Sequence, residues 1–274
     1  MPMIHQQDPP PLTEGSLTIR RAQSIKDYRA CQDAQRQAWG VVDDGYLIPL
    51  ATLVGANLHG GLVLGAFLDD GSAAAMSFAF LGRIEGRQCL YSQLTGVIPA
   101  FQGHGLGFTI KTYQAQVARQ EGVTRIAWAF DPLQEGNAHF NLGRLRATCG
   151  RYLENMYGAR TDLLNAAAQT DRLIAEWNLI DPPLPRIVEV AGLPRLIDAG
   201  PRFDPHRLAG DRVLIEIPRD IAALRTQSPA EAEGWRLAVC QAFQAAFAAG
   251  YRSVDFVRLG TGGTRSAFYV LERV

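Results

Sequence analysis

Lysine is almost missing from this chain of 274 residues, in which Lys26 and Lys111 are the two lysines among 27 basic residues. The 27 acidic residues bring the formal net charge to zero, so no overall positive field attracts nucleic acid or an anionic membrane. We therefore expect neither partner, and any anion site must be local. Arginine binds carboxylate and phosphate in a fork, although a GC-rich genome is the simpler explanation of the arginine excess.

Cysteine pairs and metal-ligand spacings are also lacking. The four cysteines, Cys31, Cys89, Cys149 and Cys240, are widely separated and form no C-x-x-C pattern with histidine partners. We expect reduced core thiols in a cytoplasmic protein, and no metal site. The N-terminal residues lack the basic and apolar regions of an export signal, and no apolar run reaches about 18 residues. The sequence therefore predicts no export and no membrane span.

The overall composition is that of an ordinary globular protein, with 47% hydrophobic and 20% charged residues. A chain of this length can bury one large core or two modest ones. Residues 1–15 are polar and rich in proline, which indicates a mobile N-terminal tail. Residues 16–160 are expected to form one domain, and residues 161–274 a C-terminal extension that begins with a proline-rich linker.

Strand and helix patterns alternate along residues 16–158. Hydrophobic periodicity and turn residues predict a mixed α/β segment, with an apolar hairpin around the turn Asp69-Asp70-Gly71. We expect, in chain order, a strand at 17–20, helices at 25–39 and within 43–60, strands at 62–68, 73–81 and 88–97, a helix at 108–120, a strand at 124–130, a helix at 137–148 and a strand at 151–157.

The C-terminal segment has a strand-helix-strand-strand pattern. We expect a strand at 212–217, a helix at 228–248 and strands at 253–258 and 266–271. Trp235, Val239, Phe243 and Phe247 recur every four residues, and core packing explains this stripe without a cofactor. We interpret the glycine run at 260–263 as a hairpin turn and not as an anion nest. A degenerate second copy of the first fold and an extension of the same sheet are both open.

The most informative segment is a glycine-rich loop at 97–107, Val-Ile-Pro-Ala-Phe-Gln-Gly-His-Gly-Leu-Gly, between a predicted strand and a predicted helix. Its glycines let backbone N–H groups converge, and the start of the helix adds about half a positive charge. Together they form a cradle for a diphosphate. A P-loop would need Gly-Lys-Ser/Thr, which is absent, and a dinucleotide fingerprint would place its third glycine one residue later.

Gln102-Gly103-His104-Gly105-Leu106-Gly107 matches Q/R-x-x-G-x-G/A, the acyl-CoA signature of the GNAT (Gcn5-related N-acetyltransferase) superfamily, and Val97-x-Pro99 also fits. The predicted element order is similar to that of the family over a little over half of the chain. The resemblance implies a GNAT-like mixed α/β fold with acetyl-CoA or another acyl-CoA as co-substrate. It implies cofactor contacts from Val97, Gln102, Gly103, His104, Gly105, Leu106, Gly107, Asn137 and Asn141. Solvent exposure alone explains His104 as well, and an N-cap role explains Asn137.

The resemblance also implies a reaction in which an amine attacks the thioester directly, without a covalent enzyme intermediate. The strands at 88–97 and 124–130 would separate to admit pantetheine, and a backbone N–H near residues 95–97 would donate to the oxyanion. A base is needed because an amine with a pKa of about 10.4 is protonated at neutral pH. Ser92 and Thr95 on one strand face suggest a proton relay through water, although an ordinary polar strand face explains them equally well.

The general acid for the leaving thiolate is left open by the sequence. Many GNAT enzymes carry a tyrosine on the helix after the 124–130 strand, where this sequence has Leu142. Tyr152 is our candidate for the acid, with Tyr157 and Tyr91 as alternatives. A packing role explains each of these tyrosines as well.

Residues 130–142 resemble a bacterial subgroup of predicted GNAT acyltransferases with a long C-terminal extension, and some members are associated with N-acylation of amino acids from acetyl- or succinyl-CoA. We therefore expect a small amine as acceptor, for example an amino acid whose carboxylate pairs with Arg83, Arg87 or Arg151. A protein or peptide N-acetyltransferase and a non-catalytic CoA-binding module are the alternatives. The extension is expected to cover the substrate side or a dimer surface, so a homodimer is one option.

Overall fold

The computed structural model describes residues 8–158, 169–181, 189–260 and 266–274. The chain divides into two compact units. The described part of unit 1 is residues 8–128 and 178–180, and unit 2 contains the remaining described residues from Ala129 onward. The first division falls between Trp128 and Ala129, ahead of the domain boundary expected at residue 160, which stays a prediction.

Unit 1 contains a mixed sheet and three helices. Its elements are β1 (Leu12–Glu14), β2 (Leu17–Arg21), α1 (Ile25–Trp39), α2 (Leu50–Leu58), β3 (Leu62–Phe67), β4 (Ala73–Ile84), β5 (Arg87–Val97), α3 (Leu106–Gln120) and β6 (Arg125–Phe130), whose last two residues belong to unit 2. The strands lie in numerical order, antiparallel from β1 to β5, and β5 and β6 are parallel. The expected mixed α/β class is confirmed, and from β2 to β6 the elements follow the predicted order.

Local sequence signals explain why α1 begins and ends where the periodicity predicts. The Ser24 hydroxyl accepts from the Asp27 N–H at 3.2 Å, and the Asp27 carboxylate accepts from the Ser24 N–H at 3.1 Å, which makes a capping box. Gly40 ends the helix in the left-handed conformation, with φ of 60°. Tyr28 and Cys31 face a core that also contains residues of β3 and β4. The predicted range 25–39 is therefore confirmed.

The expected mobile tail is wrong for residues 8–15. Residues Leu12–Glu14 form β1, which pairs antiparallel with β2. The guanidinium of Arg21 donates to the Asp8 carboxylate at 2.8 Å and 3.0 Å. β1 begins after the last proline of this segment and lies at the edge of the sheet, where proline is tolerated.

Unit 2 contains a second set of strands with one long helix. Its elements are α4 (Glu135–Ala138), β7 (Thr148–Leu153), β8 (Arg172–Asn178, whose last residue belongs to unit 1), β9 (Arg195–Ile197), β10 (Arg212–Ile217), α5 (Ile221–Gln227), α6 (Pro229–Ala248), β11 (Tyr251–Leu259) and β12 (Ser266–Arg273). The strand order is β8-β7-β11-β12-β10-β9. The predicted helix with its buried stripe of Trp235, Val239 and Phe243 is confirmed in α6.

Two predicted elements of unit 2 are wrong in their bounds. The helix expected at 137–148 is α4 followed by a π-helical turn at His139–Arg144, and the strand expected at 151–157 is β7. Leu142 is buried within the π-helical turn and Leu145 directly after it, and the sequence periodicity does not distinguish this turn from an α-helix. The predicted turn at 260–263 lies mostly outside the described residues. Across the part of the chain that is described, no helix has the length and apolar character needed to cross a membrane.

Candidate functional site

β5 changes its pairing in the middle of the predicted site. The register against β4 shifts at Gln93, which is therefore the extra residue of a β-bulge. On the opposite edge, β5 pairs with β6 in parallel at Leu90 and Tyr91, and within the described residues these two positions make up the ladder. β5 continues beyond this ladder from Ser92 to Val97. The family resemblance implies that the strands at 88–97 and 124–130 separate, and the ladder between β5 and β6 ends after Tyr91.

The loop after β5 depends on two glycines with positive φ. Gly103 has φ of 82°, and Gly105 has φ of 86° at the N-cap of α3. Side chains other than glycine rarely adopt this conformation, and a Cβ at either glycine would meet no atom within 4 Å. The Gln102 side-chain amide donates to the Val97 carbonyl at 2.9 Å and ties the loop to the end of β5. The loop is therefore an open, preshaped turn.

The start of α3 has the properties of an anion site. Its first N–H groups lack partners within the helix, as in any helix, and no acidic side chain lies in its first turn. Residues 102–105 are exposed, while the Leu106 side chain is buried and anchors the helix start. All seven predicted cofactor residues from Val97 to Gly107 therefore belong to one short segment, whose residues 102–105 are exposed.

A buried polar cluster lies between β4, β5 and α3, and we call it the β5–α3 cluster. Its members are Ser77, Ser92, Thr95, Lys111 and Gln114. The Lys111 ammonium donates to Ser92 Oγ at 2.9 Å and to Gln114 Oε1 at 3.1 Å. Ser92 Oγ lies 3.4 Å from Thr95 Oγ1, which lies 2.9 Å from Ser77 Oγ. The structure thus brings both predicted relay residues together.

Lys111, like Ser77 and Gln114, is a residue of this cluster that sequence reasoning missed. Its side chain is buried, and its Nζ lies 4.1 Å from the centre of the Trp128 ring. Burial lowers the pKa of Lys111 to about 7 because the charged form loses its hydration. The scarcity of lysine was the one signal in the sequence that could have drawn attention to Lys111. The position of Lys111 on α3 does not indicate that its side chain is buried beside Ser92.

The lowered pKa of Lys111 predicts a pH-dependent stability. Between pH 7 and 10.5 the unfolded chain holds the Lys111 proton and the folded chain does not, so the free energy of unfolding should rise with pH. The rise from this one group approaches about 1.4 kcal/mol per pH unit, and below pH 7 the contribution becomes flat. Urea unfolding at pH 7, 8 and 9 measures it, with Lys111→Met as the comparison. Equal slopes in both proteins would contradict the assignment.

The opposite face of β5 is closed by an aromatic ring. A Cβ at Gly96 would lie 2.2 Å from the indole ring of Trp39, at the end of α1. Gly96 therefore permits the ring to pack directly on the backbone where the oxyanion donor is expected. This glycine has a packing reason that the sequence pattern alone did not supply.

Tyr152, the predicted acid, lies in unit 2, and its hydroxyl proton is used in a hydrogen bond. Its hydroxyl donates to Asp171 Oδ2 at 2.7 Å, and its ring stacks on Phe243 at 5.9 Å between centroids. Burial, and then the charge of Asp171, raise the pKa of Tyr152 well above its usual range. A hydroxyl that is bound to a buried carboxylate is a poor proton donor, so these contacts count against the assignment, which stays a prediction.

Asn137 and Asn141 also lie in unit 2 and differ in exposure. Asn137 is exposed within α4, whose N-cap is Gln134, so the alternative N-cap role for Asn137 is wrong. Asn141 is buried in the π-helical turn. Leu142, at the family's tyrosine position, is fully buried and provides no proton. The cofactor roles of the two asparagines stay predictions.

The three candidate arginines for an acceptor carboxylate are all exposed. Arg83 lines a cavity of about 340 Å³ near the β4–β5 turn, together with Gln88. Arg87 begins β5, and Arg151 lies on β7 in unit 2. No contact distinguishes one arginine as the binding residue. In the described ranges, no group of three His, Cys, Asp or Glu side chains is placed to hold a metal ion.

Comparisons with solved structures give similarities of fold at low sequence identity. A proposed acetyltransferase from Salmonella typhimurium, solved with its cofactor acetyl-CoA, is 19% identical over 63% of this chain and 99% of its own, with a TM-score of 0.49. The ribosomal-protein-S18-alanine N-acetyltransferase from Escherichia coli is 15% identical over 60% of this chain and 94% of its own, with a TM-score of 0.46. A GNAT-family acetyltransferase from Streptococcus pneumoniae is 16% identical over 58% and 98%, with a TM-score of 0.46. No family model and no curated protein matches the chain.

Proposed function

We propose that this chain is an acyl-CoA-dependent N-acyltransferase that transfers an acetyl or succinyl group to a small amine, with an amino acid as one candidate acceptor. The observation that carries the proposal is the position of the Q-x-x-G-x-G-like loop. Residues 97–107 connect β5 to α3. β5 continues beyond its ladder with the parallel strand β6, and α3 is a helix of 15 residues with an open N-terminus. A diphosphate and an extended pantetheine arm need these two adjoining features.

The roles of the loop follow from its geometry. N–H groups between Gly103 and Gly107 would donate to the diphosphate, since no acidic side chain of the first turn competes for them. Pantetheine would lie along β5 beyond Tyr91, where the ladder with β6 has ended. A backbone N–H between Thr95 and Val97 would stabilise the oxyanion that forms when the amine attacks the thioester.

The acceptor and the setting of the reaction form the finer part of the proposal. An arginine such as Arg83 would pair with the carboxylate of an amino-acid acceptor, and a peptide acceptor would add its backbone to the sheet edge. The four cysteines are buried and free, which supports a cytoplasmic enzyme. A homodimer formed through the C-terminal segment is the assembly option.

A non-catalytic CoA-binding module is the second candidate function. Leu142, fully buried at the family's tyrosine position, favours it because the usual proton donor is missing there. The two functions differ in one respect: the enzyme releases CoA when an amine is added, whereas the module binds CoA and releases none.

A thermal-shift titration with CoA, acetyl-CoA and succinyl-CoA tests the site. A ligand at 100 times its Kd stabilises the folded state by about 2.7 kcal/mol. For this chain length we expect a rise in Tm of about 2–4 °C per kcal/mol, and the acyl form with the largest shift indicates the donor. If none of the three shifts the Tm at millimolar concentration, the acyl-CoA proposal is wrong. Amine-dependent release of CoA then separates the enzyme from the binding module.

A further inference from the structure

Lys111 lies where the two parallel strands part. The last paired residues are Tyr91 of β5 and its partner on β6, and the next residues along the strands are Ser92 and Trp128. Lys111 contacts both, with its Nζ 2.9 Å from Ser92 Oγ and 4.1 Å from the centre of the Trp128 ring. The only buried lysine of a chain with two lysines is therefore at the inner end of the open β5 edge.

The hydrogen bonds of the β5–α3 cluster fit either protonation state of Lys111. Gln114 Nε2 donates to Ser92 Oγ at 3.2 Å and to Ser77 Oγ at 3.0 Å, while its Oε1 accepts from Lys111. When Lys111 is charged, it donates to Ser92. When Lys111 is neutral, its lone pair can accept the Ser92 proton, because Ser92 still accepts from Gln114. A proton can therefore move between Ser92 and Lys111 without a change of side-chain position.

We infer that Lys111 receives, through Ser92, the proton that the acceptor amine loses in the transfer reaction. This inference rests on the function proposed above and deepens it. Thr95 extends the same chain of hydroxyls toward the glycine-rich loop, with its Oγ1 3.4 Å from Ser92 Oγ. Because Lys111 acts through Ser92, it is a positioning residue of the relay and not a catalytic residue.

The proton balance of the step is complete without another reactant. The neutral amine forms a C–N bond to the thioester carbon, the C–S bond breaks, and CoA leaves with the bonding electron pair as a thiolate. The nitrogen loses one proton to the hydroxyl chain, Ser92 passes its own proton to Lys111, and Lys111 becomes an ammonium. That proton then returns to the thiolate or to solvent, which restores neutral Lys111 for the next turnover.

Burial alone accounts for the lowered pKa of Lys111. The groups that reach it are the Ser92 hydroxyl from β5, the Gln114 amide from α3 and the Trp128 ring from β6, with Ser77 of β4 one hydrogen bond further away. Among the described residues no charged group contributes to its lowered pKa of about 7, which suits a proton acceptor at neutral pH.

The experiment is a pH profile of kcat and KM for amine-dependent CoA release, from pH 5.5 to 9, in the full-length chain. In the wild type we expect activity to fall below a bend near pH 7. In Lys111→Met the bend should disappear and kcat should drop about 100-fold or more, with KM for the acyl-CoA changed less than about twofold. Lys111→Arg should be as slow as Lys111→Met, because a permanent cation cannot accept a proton.

Two further variants complete the design. Ser92→Ala should lower kcat in the same way, because it interrupts the chain while Lys111 remains. Lys26→Met is the matched control, since Lys26 is the exposed lysine of the chain, and its profile should equal that of the wild type. The thermal shift with CoA verifies that each variant is folded and binds.

The outcomes separate the inference from the proposed function. A wild-type bend retained in Lys111→Met, or normal kcat in Lys111→Arg, would overturn the relay while the transferase proposal stands. Wild-type protein that binds CoA but releases none with any amine would overturn the transferase proposal and the relay with it. Loss of the bend and of kcat in both Lys111 variants, with CoA binding intact, supports the relay.

Discussion

Gly105→Glu should lower the affinity for CoA by about 100-fold or more, or about 3 kcal/mol. Gly105 is the N-cap of α3, and the space around it is open. The new carboxylate would therefore occupy the position proposed for the diphosphate, at the first N–H groups of the helix. It would take those hydrogen bonds itself and repel the diphosphate. Each charge-assisted hydrogen bond that is lost costs about 1.5–3 kcal/mol. Isothermal titration calorimetry with CoA measures the change.

Gly122→Glu is the matched control for this prediction. Gly122 follows the same helix at its other end, has φ of 74°, and a Cβ there would also meet no atom within 4 Å. The control therefore introduces the same charge and similar backbone strain at a distance from the loop, and it should bind CoA as the wild type does. Gly105→Ala separates strain from charge. If Gly105→Glu and Gly122→Glu bind CoA equally well, the loop at 97–107 is not the diphosphate site.

Asp171→Ala should reduce the free energy of unfolding by about 3 kcal/mol, because it removes the acceptor of three hydrogen bonds and leaves the buried Arg236 guanidinium with Glu233 as its remaining carboxylate partner. Asp171 Oδ2 accepts from Arg236 at 2.8 Å and from Tyr152 at 2.7 Å, and its Oδ1 accepts from the Asn155 N–H at 2.9 Å. The side chains of both charged partners are less than one tenth exposed. Urea unfolding at neutral pH measures the loss.

Glu233→Ala is the control for the buried ion pair. Glu233 also accepts from Arg236, at 2.8 Å, but its side chain is 49% exposed, so its loss should cost less than about 1 kcal/mol. Tyr152→Phe removes one hydrogen bond to Asp171 and should cost about 1 kcal/mol. A loss of less than 1 kcal/mol in Asp171→Ala would show that Arg236 finds water or another partner.

Tyr152→Phe also separates the two interpretations of that tyrosine. If Tyr152 serves only to hold Asp171, the variant should retain its kcat for CoA release while it loses stability. A fall in kcat of about 100-fold, with CoA binding unchanged, would instead support the predicted role as general acid. The same protein therefore gives both a stability measurement and a test of the site.

Local signals in the sequence were sufficient for several elements of unit 1. The capping box of Ser24 and Asp27, and Gly40 after Trp39, define α1 within a few residues of chain. The turn at Gly71 defines the β3–β4 hairpin, since its φ of 83° requires glycine or a strained substitute. These signals act between residues that are neighbours along the chain, so they do not depend on the rest of the fold.

Longer-range contacts account for what the sequence analysis missed. Strand β1 depends on pairing with β2, and Asp8 is held by Arg21, so the proline-rich composition of the tail was a poor guide. The helix expected at 137–148 ends at Ala138 and is followed by a π-helical turn, in which Leu142 is buried. In the tail, contacts with β2 therefore outweighed the local preference of the proline-rich segment.

The predicted site also has one part that the local sequence determined and one part that the tertiary structure determined. The positions of Gly103 and Gly105 determined the loop and the start of α3, because positive φ and a helix N-terminus are properties of a short stretch of backbone. The tertiary structure decided that Lys111 is buried beside Ser92 and that Tyr152 is bound to Asp171. Burial and neighbouring charges set how strongly a side chain holds its proton, and only the packing of distant strands and helices creates them.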